Sequence, residues 1–253
     1  MDRFNVAVKV VQNAGDLLRQ CRLEEAEVSQ KTGHQDLVTR WDRRIEQLLR
    51  NEILTAFPQD AIVGEEYPPE AHRTGAVTWY IDPIDGTTNF INQHQNYAIS
   101  VGCWEGSVPL FGLVLDVERK ALYWGKHGGG AWQDQTPIRT SRRRELSELL
   151  LTTPGLQYTF LEPHPYQERM IRLARKVRAL ELCEVAAGRA DLFVTMRSSP
   201  WDHNAARIIL EEAGGAIFTV DGNELPLNQK STVLALNAIE LKGRILMNEK
   251  SPL

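Results

Sequence analysis

Trp79-Tyr80-Ile81-Asp82-Pro83-Ile84-Asp85-Gly86-Thr87-Thr88-Asn89-Phe90 is the densest stretch of chemistry in the chain. Its opening residues belong to an apolar run, Val77 to Ile81, that reads as a strand. That strand delivers two aspartates into a turn in which Pro83 fixes one backbone angle and Gly86 permits a tight reversal. Thr87 and Thr88 are suited to open a helix directly after it. Hard divalent cations want several oxygen ligands at short range, and two carboxylates three residues apart with a carbonyl between them supply such a cluster. A helix start adds N–H groups and the positive end of a dipole, so cations and a phosphate can meet at one corner. Alone, a DxxDG also reads as an Asx-type turn whose aspartates only cap the chain.

Two further acidic corners bear on that choice. Ala61-Ile62-Val63-Gly64-Glu65-Glu66 places adjacent acids just past a short strand, where like charges are awkward unless a cation or solvent relieves them. Ser199-Pro200-Trp201-Asp202-His203-Asn204 places Asp202 at a helix start, where a plain N-cap is the simplest reading. Their conjunction with Asp82 and Asp85 is what points to an oxygen-lined metal site.

Outward from these corners, apolar residues at three- and four-residue steps predict a helix from Asn5 to Cys21 and a second from Trp41 to Leu54, ended by Pro58. Between them lies the polar segment KTGHQDLVTRWD. Strands are expected at Ala61–Val63, Tyr97–Trp104 and Pro109–Leu115, the last two joined by a Glu105-Gly106-Ser107 hairpin turn, with another hairpin over Ala121–Trp132. Leu149–Thr153, a helical stretch around Tyr166–Ala187, a strand at Asp191–Met196 and a helix at His203–Ala213 closed by Gly214-Gly215 follow. Ala216–Val220 and Thr232–Leu236 are the last strands. Helices and strands alternate in blocks, which predicts an α+β or layered α/β arrangement in preference to a barrel.

The bulk numbers exclude more than they select. With 253 residues, 42% of them hydrophobic and 25% charged, the chain has globular makeup. A net charge of -4 offers no field for nucleic acid. Three scattered cysteines, Cys21, Cys103 and Cys183, form no CxxC, which argues against a disulfide framework and for a reducing, cytoplasmic setting. No run approaches the roughly 20 apolar residues needed to span a bilayer. The six histidines show no HExxH spacing, so zinc catalysis has no support, and His203 reads as a surface helix residue. Arg142-Arg143-Arg144 reads as a solvated turn, and Gly128-Gly129-Gly130 as a hairpin turn in place of a phosphate loop.

GEE, WxxDPIDGTTNF and WDxxA, in this order, resemble the inositol monophosphatase family of lithium-sensitive, magnesium-dependent phosphatases. Lys31 with Asp36-Leu-Val-Thr and Asp42, Val185-Ala-Ala-Gly-Arg-Ala-Asp191 and Glu211-Glu-Ala-Gly-Gly215 extend the resemblance over nearly the whole chain. It implies an αβαβα sandwich in one catalytic domain, with an N-terminal metal-binding half (about 1–145) and a C-terminal half (about 146–253), assembled as a homodimer. By the same resemblance, Glu65, Asp82 and the Ile84 carbonyl bind a first magnesium, Asp82, Asp85 and Asp202 a second, and Glu65 shares a third, weaker ion. Phosphate rests on the metals and on the N–H groups of Gly86 and Thr87, with Asp202 and its helix completing the pocket. Thr87, Asp42 and Glu65 orient the attacking water or accept its proton. Lys31 stands as an outer-shell cation, while Glu66 and Asp36 read as structural or catalytic alike.

The chain departs from that pattern where substrate is read. Family members carry a Gly-Ser/Thr-Ala loop where this chain has Lys176-Val177-Arg178, the connection from Thr153 to Ala179 is shortened, and the acid expected before the WD motif is Thr195. Arg172, Arg175 or Arg178 meets either a second negative group or only solvent. An inositol-1-monophosphate-like substrate leads only narrowly, and histidinol phosphate, fructose 1,6-bisphosphate and a 3'-phosphoadenosine nucleotide stay open, because the residues that discriminate them lie where the chain departs from the family. A catalytically silent relative that binds phosphorylated metabolites is the alternative of a different class.

Overall fold

The computed structural model describes residues 2–21, 28–30, 37–69, 77–152 and 178–246. Lys31, Asp36, Arg172, Arg175, Lys176 and Val177, the connection 153–177 and the first part of the helix expected from Tyr166 lie outside the described residues.

Helix α1 (Arg3–Gln20) buries Val6, Ala7, Val10, Val11, Ala14 and Leu18, the stripe that its periodicity predicts. Strands β1 (Val28–Gln30) and β2 (Leu37–Thr39) pair antiparallel and lead into α2 (Arg40–Ala56), which stops two residues short of Pro58. Two adjacent stripes of α2 are buried. Trp41, Ile45, Leu49 and Ile53 form an apolar one, and Asp42, Glu46 and Arg50 form a charged one at i, i+4, i+8.

A seven-stranded sheet follows in sequence order: β3 (Ala61–Gly64), β4 (Val77–Asp85), β5 (Ala98–Glu105), β6 (Val108–Asp116), β7 (Ala121–Lys126), β8 (Gly130–Gln133) and β9 (Thr136–Ile138). β3 and β4 are parallel and the other neighbours antiparallel. Short helix α3 (Thr87–Gln93) leaves β4. After a 3-10 turn at Leu146–Glu148 come β10 (Leu151–Thr152), α4 (Arg178–Ala186), β11 (Leu192–Ser198), α5 (Pro200–Glu212), β12 (Ala216–Phe218), β13 (Ser231–Leu236) and α6 (Leu241–Leu246). The second sheet has the order β10-β11-β13-β12.

The cores fix the layers. Val10, Ile45 and Leu49 pack on Trp79, Ile81, Ile99 and Leu113 from one face of the large sheet. On its other face Val114 and Tyr123 meet Leu182, Ala205 and Ile209, which also meet Val233 and Ala235 of the small sheet. Leu241 of α6 covers Leu234 and Leu236 on the far side. The order is helix, sheet, helix, sheet, helix, as expected.

A row of glycines seats α5 on the large sheet. Gly102, Gly112 and Gly125 are register partners on β5, β6 and β7. A Cβ on Gly102 would stand 3.0 Å from the Ala205 nitrogen, one on Gly125 3.1 Å from the Ile209 Cα, and one on Gly112 would overlap the Ala205 carbonyl. Only bare backbone lets the helix approach so closely, and that approach brings its first turn over the ends of β4 and β5. There Ser100 Oγ donates to the Trp201 carbonyl at 3.3 Å.

Several sequence expectations change. Asp82 and Asp85 are not in a turn after the strand: β4 continues through both, with its register against β5 shifting between them. Pro83 has no N–H for the ladder, so the irregularity sits where pairing is lost anyway. The hairpin turn after β5 is Gly106-Ser107, because Glu105 still pairs with Val108. Arg143 is no free solvated arginine. It donates to buried Asp191 at 2.7 Å.

Candidate active site

The end of β4 is entirely buried, Asp82 and Asp85 included. Burial first, and then the negative fields of Glu65, Asp85, Asp202 and Asp42, hold the Asp82 carboxyl well above the usual carboxylate range. The three acidic corners of the sequence thus converge electrostatically on Asp82, from β4, the end of β3, the start of α5 and the first turn of α2. Such an assembly repels itself in the absence of a cation, and a bound divalent ion inverts that balance.

Local bonds aim these groups. Asp82 Oδ1 accepts the Ile84 N–H at 3.2 Å, which shapes the backbone between the two aspartates. Asp85 Oδ2 accepts the Ala179 N–H at 2.7 Å, joining β4 to the first turn of α4. Gly86 is left-handed at φ 95 and forms the N-cap of α3. The amides of Thr87 and Thr88 therefore lie in a first helical turn, where N–H groups have no partner within the helix. Thr87 Oγ1 lies 2.9 Å from Asp42 Oδ1 and 3.0 Å from the Ile84 carbonyl, so its single proton has two acceptors and the carboxylate is the stronger.

Asp202 is not the N-cap that its position suggests. Ser199 is the N-cap of α5 and Pro200 its first residue, while Asp202 reaches back from the third position to accept the Ser199 N–H at 2.7 Å. The S-P-x-D spacing carries that signal in the sequence. His203 is a core residue and not a surface one: it is fully buried, with Nδ1 3.0 Å from Ser198 Oγ.

Glu65 and Glu66 are half-buried after β3. Sequence reading did not single out Glu46 and Arg50, yet Glu46 Oε2 accepts the Glu66 N–H at 2.7 Å and Arg50 donates to the Pro68 carbonyl at 3.3 Å. Their four-residue steps from Asp42 are the signal that could have found them. Thr195, where an acid was expected, is buried, and its hydroxyl lies 3.2 Å from the Arg197 carbonyl and 3.4 Å from the Arg197 nitrogen. Lys31 lies outside the described residues.

The groups acting most strongly on Asp82 are carboxylates, and with the Ile84 carbonyl they make a set of hard oxygens, which fits Mg2+. Among the described residues no three Asp, Glu, His or Cys side chains stand grouped closely enough to hold an ion as they are. The fit is one of chemistry and charge. Gly128-Gly129-Gly130 is a hairpin turn as expected, and the N–H groups of Gly128 and Gly130 are taken by the Glu212 carboxylate at 2.8 and 2.9 Å.

Residues 2–249 match the model of the inositol monophosphatase family. The chain belongs to that family. An inositol-1-monophosphatase of Bacillus subtilis is 34% identical over 92% of this chain and 91% of the relative. A fructose-1,6-bisphosphatase/inositol-1-monophosphatase of Thermotoga maritima is 33% identical over 98% and 97%. Among solved structures, the inositol monophosphatase of Anabaena superposes with a TM-score of 0.78 at 30% identity, covering 96% of this chain and 94% of that one. The chain is accordingly a phosphoric monoester hydrolase of the inositol monophosphatase family, in the layered α+β fold of that family. No helix among the described residues is long and apolar enough to cross a membrane.

Proposed function

We propose that the chain is a magnesium-dependent phosphomonoesterase, acting as one catalytic unit on a small sugar or polyol phosphate, with an inositol-1-monophosphate-like substrate favoured. The observation that carries this reading is the buried Asp82 carboxyl, held far above its usual range among Glu65, Asp85, Asp202 and Asp42. Glu65, Asp82, Asp85 and Asp202 with the Ile84 carbonyl are the residues to hold two to three ions. Bound Mg2+ supplies Lewis acidity, which makes water a better nucleophile and neutralises phosphoryl charge.

The chain's own groups do the rest. Thr87 and Gly86 offer backbone N–H groups at the start of α3 to the phosphate oxygens. With the Thr87 proton directed to Asp42, the Thr87 oxygen is turned to accept a hydrogen bond from the attacking water, and Asp42 is the sink to which that proton passes. Glu65 is a second acceptor for the proton of the water, and Asp202, held by the Ser199 N–H, completes the pocket with its helix. Glu66 and Lys31 belong to the outer shell in this reading.

Substrate range rests on Thr195. A threonine there brings no carboxylate to substrate hydroxyls, and its own hydroxyl is engaged with the backbone of Arg197. A site that lacks a hydrogen-bonding partner shifts its preference strongly, which keeps fructose 1,6-bisphosphate, histidinol phosphate and 3'-phosphoadenosine nucleotides in view. The Thermotoga relative is named for two of these substrate types. A phosphate-release panel over these four substrates, with and without Mg2+, tests the reading: release that is indifferent to Mg2+, or absent for every member, refutes it. The family resemblance also leads us to propose a homodimer in the cytoplasm and inhibition by Li+, the last read as loss of phosphate release on titrating LiCl at fixed Mg2+.

A further inference from the structure

Glu46 lies one helical turn beyond Asp42 on α2 and is fully buried. Burial raises the pKa of its carboxyl, against the lowering effect of the Glu66 amide, Arg50 and the Tyr67 amide. An apolar side chain would fill the same space at lower cost. What an apolar residue cannot do is accept hydrogen bonds. Glu46 Oε2 takes the Glu66 N–H at 2.7 Å, while Oε1 takes the Tyr67 N–H at 3.3 Å and Arg50 Nη1 at 3.1 Å. Arg50 then reaches the Pro68 carbonyl at 3.3 Å and lies 5.8 Å from the centroid of the Tyr67 ring.

The opposite side of Glu65 is fixed by the same carboxylate. A Cβ on Gly64 would overlap both the Glu46 carboxyl carbon and its oxygens, so the carboxylate packs directly on the Gly64 backbone. Glu65 therefore has Glu46 against its predecessor and hydrogen-bonded to its successor. One turn back on the same face of α2, Asp42 faces Thr87. A single helix carries the contacts that set both the chain leaving β3 and the hydroxyl after β4.

We infer that Glu46 is a positioning residue for Glu65: by accepting two consecutive amides it sets the course of the chain through Glu65 and so the affinity of the acidic corner for its divalent ion. The inference rests on the metal-dependent reading above. It assigns no contact between Glu46 and substrate.

The test is Glu46→Gln in the full chain, which keeps volume and one acceptor oxygen but sets an NH2 group against an amide or Arg50. Mg2+ binding is measured by calorimetry without substrate, and phosphate release from inositol 1-phosphate is measured against Mg2+ concentration. The expected result is a fall in Mg2+ affinity of about 10- to 100-fold, the range for residues that orient metal ligands from behind, with a matching rise in half-saturating Mg2+. At saturating Mg2+, kcat returns to within about threefold of the parent with KM unchanged, the split expected when ion binding and not the chemical step was lost. Unchanged Mg2+ affinity with a lower melting temperature overturns the inference, because that is the signature of a purely structural residue.

If Glu46→Gln does not fold, Arg50→Lys decides. It keeps a positive charge beside Glu46 but loses the planar fork that also reaches Pro68. Weaker Mg2+ binding in that variant supports the inference, and unaltered binding overturns it. A parent chain that binds Mg2+ yet releases no phosphate refutes the proposed function and leaves calorimetry to judge Glu46. A parent chain that binds no Mg2+ overturns both.

Discussion

The carbonyl of Ala205 on α5 occupies the space that a side chain on Gly112 of β6 would need. Because Asp202 lies in the first turn of the same helix, the seating of Ala205 on the sheet also sets the height of Asp202 above the end of β4. Gly112→Ala is expected to destabilise the fold by about 1–3 kcal/mol, the usual cost of overpacking. It should also lower turnover more than stability alone explains. Denaturant unfolding paired with phosphate-release kinetics checks this, and an alanine variant with parental stability would show that the sheet yields instead.

Asp85→Asn deletes charge and keeps volume, and its amide oxygen can still accept the Ala179 N–H. The folded state should persist, with near-parental circular dichroism. Mg2+-dependent turnover should fall by about a hundredfold or more, since a misplaced or missing ligand spoils the alignment of the reacting groups. Parental activity would exclude Asp85 from the site.

Thr87→Val and Thr87→Ser separate the hydroxyl from its neighbours. Valine cannot donate to Asp42, and kcat is expected to drop by about 10²–10⁴-fold, the range for a lost proton-transfer group. Serine restores the hydroxyl and should recover most of the rate. A loss in serine with none in valine would mean that the methyl group, and not the proton path, matters.

Asp191 joins the segment after β9 to the small sheet. It accepts from Arg143 Nε and the Leu150 N–H at 2.7 Å and from Asn237 Nδ2 at 2.9 Å, and it pairs with the Ser141 hydroxyl. Burial works to raise its pKa, but the bonds from Arg143, Ser141 and Leu150 outweigh it and hold the carboxyl below its ordinary value. A carboxyl depressed in the folded state contributes stability at pH above its unfolded value, about 3.9, and loses that contribution as pH falls through the folded value. Asp191→Asn should therefore flatten the acid limb of a stability–pH curve. Asp191→Ala, which removes the acceptor of the Leu150 N–H, the Asn237 amide and the half-exposed Arg143 guanidinium, should cost about 1–3 kcal/mol at neutral pH. Urea midpoints from pH 3 to pH 7 measure both.

Elements with one dominant signal were readable from sequence. α1 and the apolar stripe of α2 follow from three- and four-residue spacing, and the β5–β6 and β7–β8 hairpins follow from apolar runs with glycine at the turns. β9 (Thr136–Ile138) and α6 (Leu241–Leu246) escaped because three and six residues show no clear period. At the site, Asp82, Asp85 and Asp202 stood out because acids at element ends are unusual in combination. Glu46 did not, because a charged residue on a helix ordinarily faces water and its partners are backbone amides 20 and 21 positions away. Backbone groups leave no trace in residue identity. The role of Ser199 was legible in principle, since the capping-box spacing is local, but the more conspicuous Asp202 drew the assignment of N-cap.

The bond from the Ala179 amide to Asp85 spans 94 positions of chain. Its acceptor belongs to the acidic corner and its donor opens α4, so neither end can drift in evolution without a matching change at the other. Position 179 can vary among residues that keep an N–H and is closed to proline. A comparison of related chains that scores side chains alone would overlook this constraint, because what must be inherited there is a peptide hydrogen.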